Sequence, residues 1–312
     1  MKTRLKNAWM LLKESFNAFM EDNALKLSAS LAYYTIFSLA PMLVIVIALC
    51  GVFFGREAVQ GRVYGQIRGF VGNDAAIQVQ EMLKSVEFSG QTPLATTIGI
   101  ITLIIGATGV FTEMQDSLNT IWSVKAKPKR GWLKIIINRV LSFSILVSIG
   151  FLLLVSLVIS ALLNVFSERL ERLLADVAVV AFYVINNLVV IAVITALFAV
   201  IFKVLPDVKM RWKDALAGSV FTALLFMIGK FLINTYLARS DMGSAYGAAG
   251  SIIVILVWIY YTSAILYFGA EFTKIYAYKF GKGIEPDEDA VRIVRSEVEK
   301  ESRPKVAKPV EK

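Results

Sequence analysis

The stretch SAYGAAGSIIVILVWIYYTSAILYFGAEFTK, residues 244–274, decides the fold class. It begins with small residues, continues with a long apolar and aromatic run, and ends near the acidic Glu271. A helix of about 20 apolar residues is about 30 Å long, which matches the hydrocarbon layer of a membrane. The small residues at the start favour close approach to a neighbouring helix. The stretch therefore predicts a membrane-spanning helix with an acid at its inner end.

Similar runs recur along the chain, in which 57% of the 312 residues are hydrophobic and the mean hydropathy is +0.65. Such a composition is far more apolar than that of a soluble domain. We predict an all-α integral membrane protein with six transmembrane helices. The predicted spans are residues 27–54, 94–111, 133–163, 177–205, 215–237 and 251–276.

Three regions flank or interrupt this bundle, which covers residues 27–280. Residues 1–26 predict an amphipathic helix at the membrane surface, because five apolar residues share one helical face. These residues are Leu5, Trp9, Leu12, Phe16 and Phe19. Residues 55–93 keep helical periodicity and predict an external helical segment that either caps the bundle or lies in the outer headgroup layer. Residues 281–312, with eight acidic residues, eight basic residues and three prolines, predict a disordered cytoplasmic tail.

The positions of Lys and Arg predict the orientation of the bundle, because basic loops stay in the cytoplasm. The two loops on the side of the termini are dense in basic residues. These residues are Lys125, Lys127, Lys129, Arg130 and Lys134 in one loop, and Lys203, Lys209, Arg211 and Lys213 in the other. Both termini are therefore predicted to be cytoplasmic. The net charge of +9 fits this orientation and attraction to anionic lipid headgroups, and we expect no nucleic-acid binding.

The chain contains no histidine and a single cysteine, Cys50. It therefore lacks the usual imidazole metal ligand and the usual acid/base group at neutral pH. The sequence shows no nucleophile and base pair, phosphate-binding glycine loop or nucleotide motif. We expect no enzyme activity, no cofactor and no metal site.

Two long motifs are similar to the signature stretches of a known family. LAYYTIFSLAPML at residues 31–43 and GSAYGAAGSIIVILVWIYYTSAILYFGAEFT at residues 243–273 resemble the YihY/virulence factor BrkB family. The resemblance extends over residues 19–279 and implies a multi-pass protein of the bacterial inner membrane. A role in lipid or amphiphile transport has been suggested for relatives, and the resemblance implies the same expectation for this sequence. Some members carry an old ribonuclease BN label, against which the absence of histidine argues.

Polar residues inside the predicted spans are the candidate functional residues, because polar groups are costly in hydrocarbon and usually face the bundle interior. The candidates are Tyr34, Ser38, Pro41, Glu113, Arg139, Asn186, Asn187, Lys230, Asn234, Tyr260, Tyr267 and Glu271. Two interpretations remain open: helix packing and a polar cavity. Lys230 either snorkels to the outer interface or lines the cavity. Glu271 either joins an ion-paired cluster near Glu113 and Arg139 or acts as a gate.

The moderate polarity of the spans, with few charges, favours a groove for a headgroup over an ion relay. We therefore expect a protein that moves, or helps to move, a lipid-like or amphiphilic molecule, with anionic membrane lipids as partners. The alternative is a non-transporting scaffold that binds envelope or cytoplasmic proteins. Protein partners and homo-oligomers stay open.

Overall fold

The computed structural model describes residues 2–54, 93–127, 177–239 and 250–294, together with positions 61, 64, 65 and 77. Its helices are α1 (Lys2–Glu21), α2 (Ala24–Phe54), α3 (Pro93–Ile121), α4 (Val177–Val204), α5 (Trp212–Arg239) and α6 (Gly250–Phe280). In these parts of the chain, three stretches are long and apolar enough to cross a membrane: Asn187–Val204, Trp212–Ile233 and Ile252–Phe280. The prediction of a helical membrane protein is confirmed at this level. The predicted third span and nearly all of the external segment lie outside the described residues.

The helices pack as a bundle of neighbouring pairs. α2 contacts α3 and α6, α5 contacts α4 and α6, and α1 lies against α6. The α1–α2 turn, the end of α3, the connection between α4 and α5, and the end of α6 all meet at one end, which we call the basal end. α4 begins about 42 Å from this end, since its 28 residues each rise about 1.5 Å.

The α5–α6 contact depends on two reciprocal pairs of glycine and threonine. A Cβ added at Gly218 would lie 1.8 Å from Thr273 Oγ1, and a Cβ added at Gly269 would lie 2.0 Å from Thr222 Oγ1. Within each helix, the threonine hydroxyl donates to the glycine carbonyl four residues earlier, at 2.7 Å for Thr222 and 2.6 Å for Thr273. Only a hydrogen at Cα leaves room for such close helix packing.

α1 packs by a different face from the predicted one. Leu11, Ser15 and Phe19 are buried, and the Phe19 ring meets the Phe268 ring of α6 edge-on at 5.8 Å. The expected stripe is therefore divided, because Phe19 faces the bundle whereas Trp9, Leu12 and Phe16 stay exposed. The side chain of Leu5 is not among those described.

Four short strands form at the basal end, although the sequence predicts an all-α fold and a disordered tail from residue 281. Strand β1 (Val124–Ala126) pairs antiparallel with β4 (Ala290–Arg292), and β2 (Val208–Lys209) pairs with β3 (Glu285–Pro286). The prediction of disorder is wrong for residues 281–294. This segment needs no core of its own, because both basic connections supply backbone partners and Ile284 inserts into the bundle core.

We predict that Gly218→Ala and Gly269→Ala each lower stability by about 1 to 3 kcal/mol, since a methyl group would overlap a threonine of the facing helix. Thermal unfolding in detergent measures the loss. Gly65→Ala is the control, because a Cβ there meets nothing within 4 Å. Combining Gly218→Ala with Thr273→Ala should recover part of the loss. A Gly218→Ala protein as stable as the parent would contradict close packing.

Candidate functional site

An open cleft of about 430 Å³ lies at the basal end, between α1, α6 and the tail strands. It contains charged, aromatic and aliphatic side chains together. The lining residues are Ala18, Glu21, Asp22, Trp122, Ser123, Lys274, Tyr278, Arg292, Ile293 and Val294. We call it the basal cleft. Its volume is within the range of about 300 to 1,000 Å³ that is typical of small-molecule sites.

Two left-handed backbone residues flank the basal cleft. Asn23, with φ 54°, lies in the turn that joins α1 to α2, and Ser123, with φ 55°, follows the end of α3. Asparagine tolerates this conformation, whereas serine adopts it at a cost of about 1 kcal/mol. These bends end the helices so that Asp22 and Ser123 line the cleft. Strained backbone of this kind is concentrated at functional sites in many proteins.

Lys274 joins three elements at one wall of the cleft. Its Nζ lies 3.1 Å from Asp22 Oδ2 in the α1–α2 turn and 3.2 Å from Glu271 Oε2 one turn earlier on α6. Glu271 is completely buried, and its other oxygen, Oε1, has no hydrogen-bond donor among the described residues. The ammonium thus donates to two acidic side chains in a setting of low dielectric, where a buried polar group without a partner is costly.

The floor of the cleft is closed by the Trp122 side chain, which is 2% exposed. Its indole N–H donates to the Ala270 carbonyl of α6 at 3.1 Å, and its ring meets the Phe202 ring of α4 at 6.3 Å. Trp122 therefore joins the end of α3 to α4 and α6. Elsewhere in the bundle, the hydroxyls of Tyr267 and Ser117 are buried without a hydrogen-bond partner among the described residues.

A second polar cluster attaches the tail to the bundle. The buried Asp207 accepts hydrogen bonds at Oδ2 from Asn119 at 2.8 Å and from Gln115 at 3.2 Å. Its backbone N–H donates to Asn119 Oδ1 at 2.9 Å, and its carbonyl accepts from the Asp287 N–H of the tail at 3.0 Å. The loop before β2 is therefore tied both to α3 and to the tail.

Exposed charges support the same attachment. Lys209 lies 3.0 Å from Glu288 and 3.5 Å from Asp287, and the hydrogen bond to Glu288 raises the pKa of Lys209 above its ordinary value. The hydrogen bond to Glu288 favours the charged form of Lys209, but an ion pair at an exposed site contributes little to the stability of the fold.

The sequence-predicted residues do not form one site. Glu271, Tyr267 and Ser38 are buried, and Glu113 is half-buried and near enough to interact with Tyr267. Ser38 faces Gly109, where an added Cβ would lie 3.3 Å from its Oγ.

The other candidate residues are spread over the bundle or lie outside the described residues. Tyr34 is exposed beside Tyr33, so the prediction that it faces the bundle interior is wrong. Asn187 and Lys230 are half-buried, and Tyr260 is exposed. Arg139 lies outside the described residues, and nothing is described of the side chains of Pro41, Asn186 and Asn234.

Sequence reasoning did not select most of the residues that form the basal end. These residues are Asp22, Asn119, Trp122, Asp207 and Arg292, and apart from the neighbouring Asn119 and Trp122 they lie far apart in the chain. One signal was present: the pattern glycine, three residues, threonine occurs in α5 as GSVFT at residues 218–222 and in α6 as GAEFT at residues 269–273.

The family model described as Virulence factor BrkB matches residues 15–294, which end where the described tail ends. The chain belongs to the virulence factor BrkB family. The match takes in α1 from Ser15 onward and the tail strands β3 and β4, so the elements that build the basal cleft are part of the family domain.

Curated relatives are named UPF0761 membrane proteins. One from Pseudomonas aeruginosa strain LESB58 is 29% identical over 257 residues, covering 81% of this chain and 59% of the relative. One from Rhodospirillum centenum is 26% identical over 277 residues, covering 86% and 58%. This chain therefore spans about three-fifths of the length of these relatives. No solved structure gives a significant match.

We predict that Lys274→Met lowers stability by about 1 to 3 kcal/mol, because it removes the hydrogen-bond donor of the buried Glu271. Lys279→Met is the matched control on the same helix, since the Lys279–Glu14 pair at 2.7 Å is largely solvated and should contribute less than about 1 kcal/mol. Thermal unfolding of both variants in one detergent gives the comparison. Equal losses would show that Lys274 holds no buried charge cluster.

Proposed function

We propose that this protein is a multi-pass protein of the bacterial cytoplasmic membrane that moves, or helps to move, a lipid-like or amphiphilic molecule. The observation that carries the proposal is the mixed lining of the basal cleft. Its walls place Asp22, Lys274 and Arg292 beside the apolar side chains of Ile293 and Val294. A headgroup fits the charged walls, and an acyl chain fits the apolar side.

The surfaces of the helices support contact between the cleft and lipid. α5 exposes large apolar residues at helical spacing along one side. These residues are Leu216, Val220, Leu224, Ile228 and Phe231. In water such a face would be a liability, whereas in a bilayer it contacts acyl chains. Trp9 and Phe16 of α1 are also exposed, and we place this apolar side in the headgroup layer next to the cleft.

The buried part of the bundle above the cleft supports a closed inner gate. Trp122 and Glu271 are both at most 2% exposed, and the Lys274–Asp22 pair holds α6 against the α1–α2 turn. Movement of a headgroup past this point requires the pair to open and the Trp122 ring to leave α4. The arrangement is therefore that of a protein resting with its inner end shut.

We also propose that the protein has no enzyme activity, including ribonuclease activity, and does not bind nucleic acid. The chain has no histidine for acid/base or metal chemistry. Its basic loop residues fit a cytoplasmic orientation of the basal end, as loops that stay inside are enriched in Lys and Arg.

The orientation gives a direct prediction. With Cys50 replaced by serine, a cysteine introduced at the exposed Ile77 should react with a membrane-impermeant thiol reagent in intact cells. A cysteine at the exposed Glu288 should react only after the membrane is broken. Labelling of both proteins in disrupted cells is the control. The opposite pattern would place the basal end outside the cytoplasm.

Transport is tested by reconstitution into liposomes with a fluorescent phospholipid, whose passage between leaflets is followed by dithionite quenching. We expect faster exchange than in protein-free liposomes. Val294→Trp should slow it severalfold, because the larger ring fills the cleft, without changing the melting temperature. Val291→Trp is the matched control, since Val291 is also exposed but does not line the cleft.

Exchange no faster than in protein-free liposomes would overturn the transport proposal. The scaffold alternative, in which the basal end binds other proteins, would then be favoured. Equal slowing by both valine variants would show that the basal cleft is not on the path.

A further inference from the structure

Two of the four charged residues that line the basal cleft, Asp22 and Lys274, form an ion pair with each other. Lys274 donates to Asp22 and to Glu271. Two charged groups differ from these, namely Glu21 in the last turn of α1 and Arg292 at the end of β4. They belong to different walls, because one lies beside the α1–α2 turn and the other is on the tail.

Arg292 is held in place with part of its guanidinium unused. Its Nη2 donates to the Ile284 carbonyl at 2.8 Å and to the Tyr278 hydroxyl, and Cζ lies 5.7 Å from the centre of the Tyr278 ring. Nε and Nη1 make no hydrogen bond with the described residues. A guanidinium that is oriented in this way and keeps free N–H groups is suited to a phosphate, because its planar fork matches two phosphate oxygens.

Glu21 supplies the opposite charge. Its carboxylate makes no ion pair or hydrogen bond within the described parts of the chain, whereas Glu14, two turns earlier on α1, pairs with Lys279 at 2.7 Å. A carboxylate at the rim of a cleft binds an ammonium group well, since hydrogen bonds between charged groups are stronger than those between neutral groups. The same carboxylate repels a ligand that carries only negative charge.

We propose that the basal cleft binds the zwitterionic headgroup of a phospholipid that carries a primary amine, with the phosphate on Arg292 and the ammonium on Glu21. This inference rests on the proposed function and names its substrate class more narrowly. The expected anionic headgroup is replaced by one that carries a positive and a negative charge. The tail is then part of the binding site, since it brings Arg292, Ile293 and Val294 to the cleft. The acyl chains lie along the apolar wall formed by the last two.

The test is calorimetric titration of the detergent-purified full chain with soluble short-chain lipids. Dihexanoyl-phosphatidylethanolamine should bind about tenfold more tightly than dihexanoyl-phosphatidylglycerol, the size expected for one hydrogen bond to a charged group. Glu21→Gln should abolish this preference, and Arg292→Gln should weaken the binding of both lipids about tenfold. Glu14→Gln and Lys279→Gln remove the same charges outside the cleft and should leave both affinities unchanged.

Three results would overturn the inference: equal affinity for the two lipids, a preference that survives Glu21→Gln, or binding by Arg292→Gln at the parental level. All variants are checked by thermal unfolding, and both target residues are exposed, so loss of fold is separable from loss of binding. Phosphoethanolamine without acyl chains is titrated as well. If it binds as tightly as the lipid, the site serves a soluble ligand and the assignment to a lipid is wrong.

The two proposals fail in different ways. Liposomes that exchange lipid although the headgroup preference is absent contradict this inference and leave transport standing. A protein that binds the amine-bearing lipid through Glu21 and Arg292 but does not accelerate exchange contradicts transport and leaves the binding site standing.

Discussion

Hydrocarbon offers no hydrogen-bond partner, and this constraint governs where polar groups lie in the protein. Along the helices, hydroxyls donate to carbonyls four residues earlier, as Ser28 does to Ala24 at 2.7 Å and Ser219 does to Ala215 at 2.7 Å. In the described residues, backbone that is not helical is concentrated at the basal end, where short strands satisfy it. Among the described residues, the polar clusters and ion pairs that join different elements are therefore gathered at the basal end.

Close packing and ion pairing connect α6 to its neighbours in different ways. The glycine and threonine pairs fix α5 against α6 near the start of α5 and the end of α6, with no charge involved. At the basal end, Lys274 joins α6 to the α1–α2 turn, and the Trp122 indole joins α3 to α6. The first contact has no alternative partners, whereas the other two can exchange theirs for water or a ligand. Any movement at the cleft is thus expected between α6 and the α1–α2 turn, with α5 and α6 moving as one unit.

The tail strands connect this site to the two basic loops. Tail residues pair with β1 after α3 and with β2 before α5, and Asp207 links the second pair to Asn119. A ligand on Arg292 would therefore contact an element that both loops hold in position. The family match includes this tail, so the cleft is built wholly from residues of the shared domain. The matched region covers 59% of the relative from Pseudomonas aeruginosa strain LESB58.

Composition was enough to predict a helical membrane protein with the described helices α2 to α6, because burial in hydrocarbon imposes a length and a polarity that are visible in a local window. Observed α2 and α4 start within three residues of the predicted spans, and the candidate residue Glu271 is buried in the structure. The sequence could not identify its partners, since Asp22 lies about 250 positions away and contacts depend on how helices cross. The ordered tail was also beyond prediction, because strands of two or three residues have no period and exist only through pairing with distant loops. Local pattern thus determined the spans and the side-chain types available. The cleft, its ion pair and its two charges that form no ion pair among the described residues came from the tertiary packing that brings remote residues together.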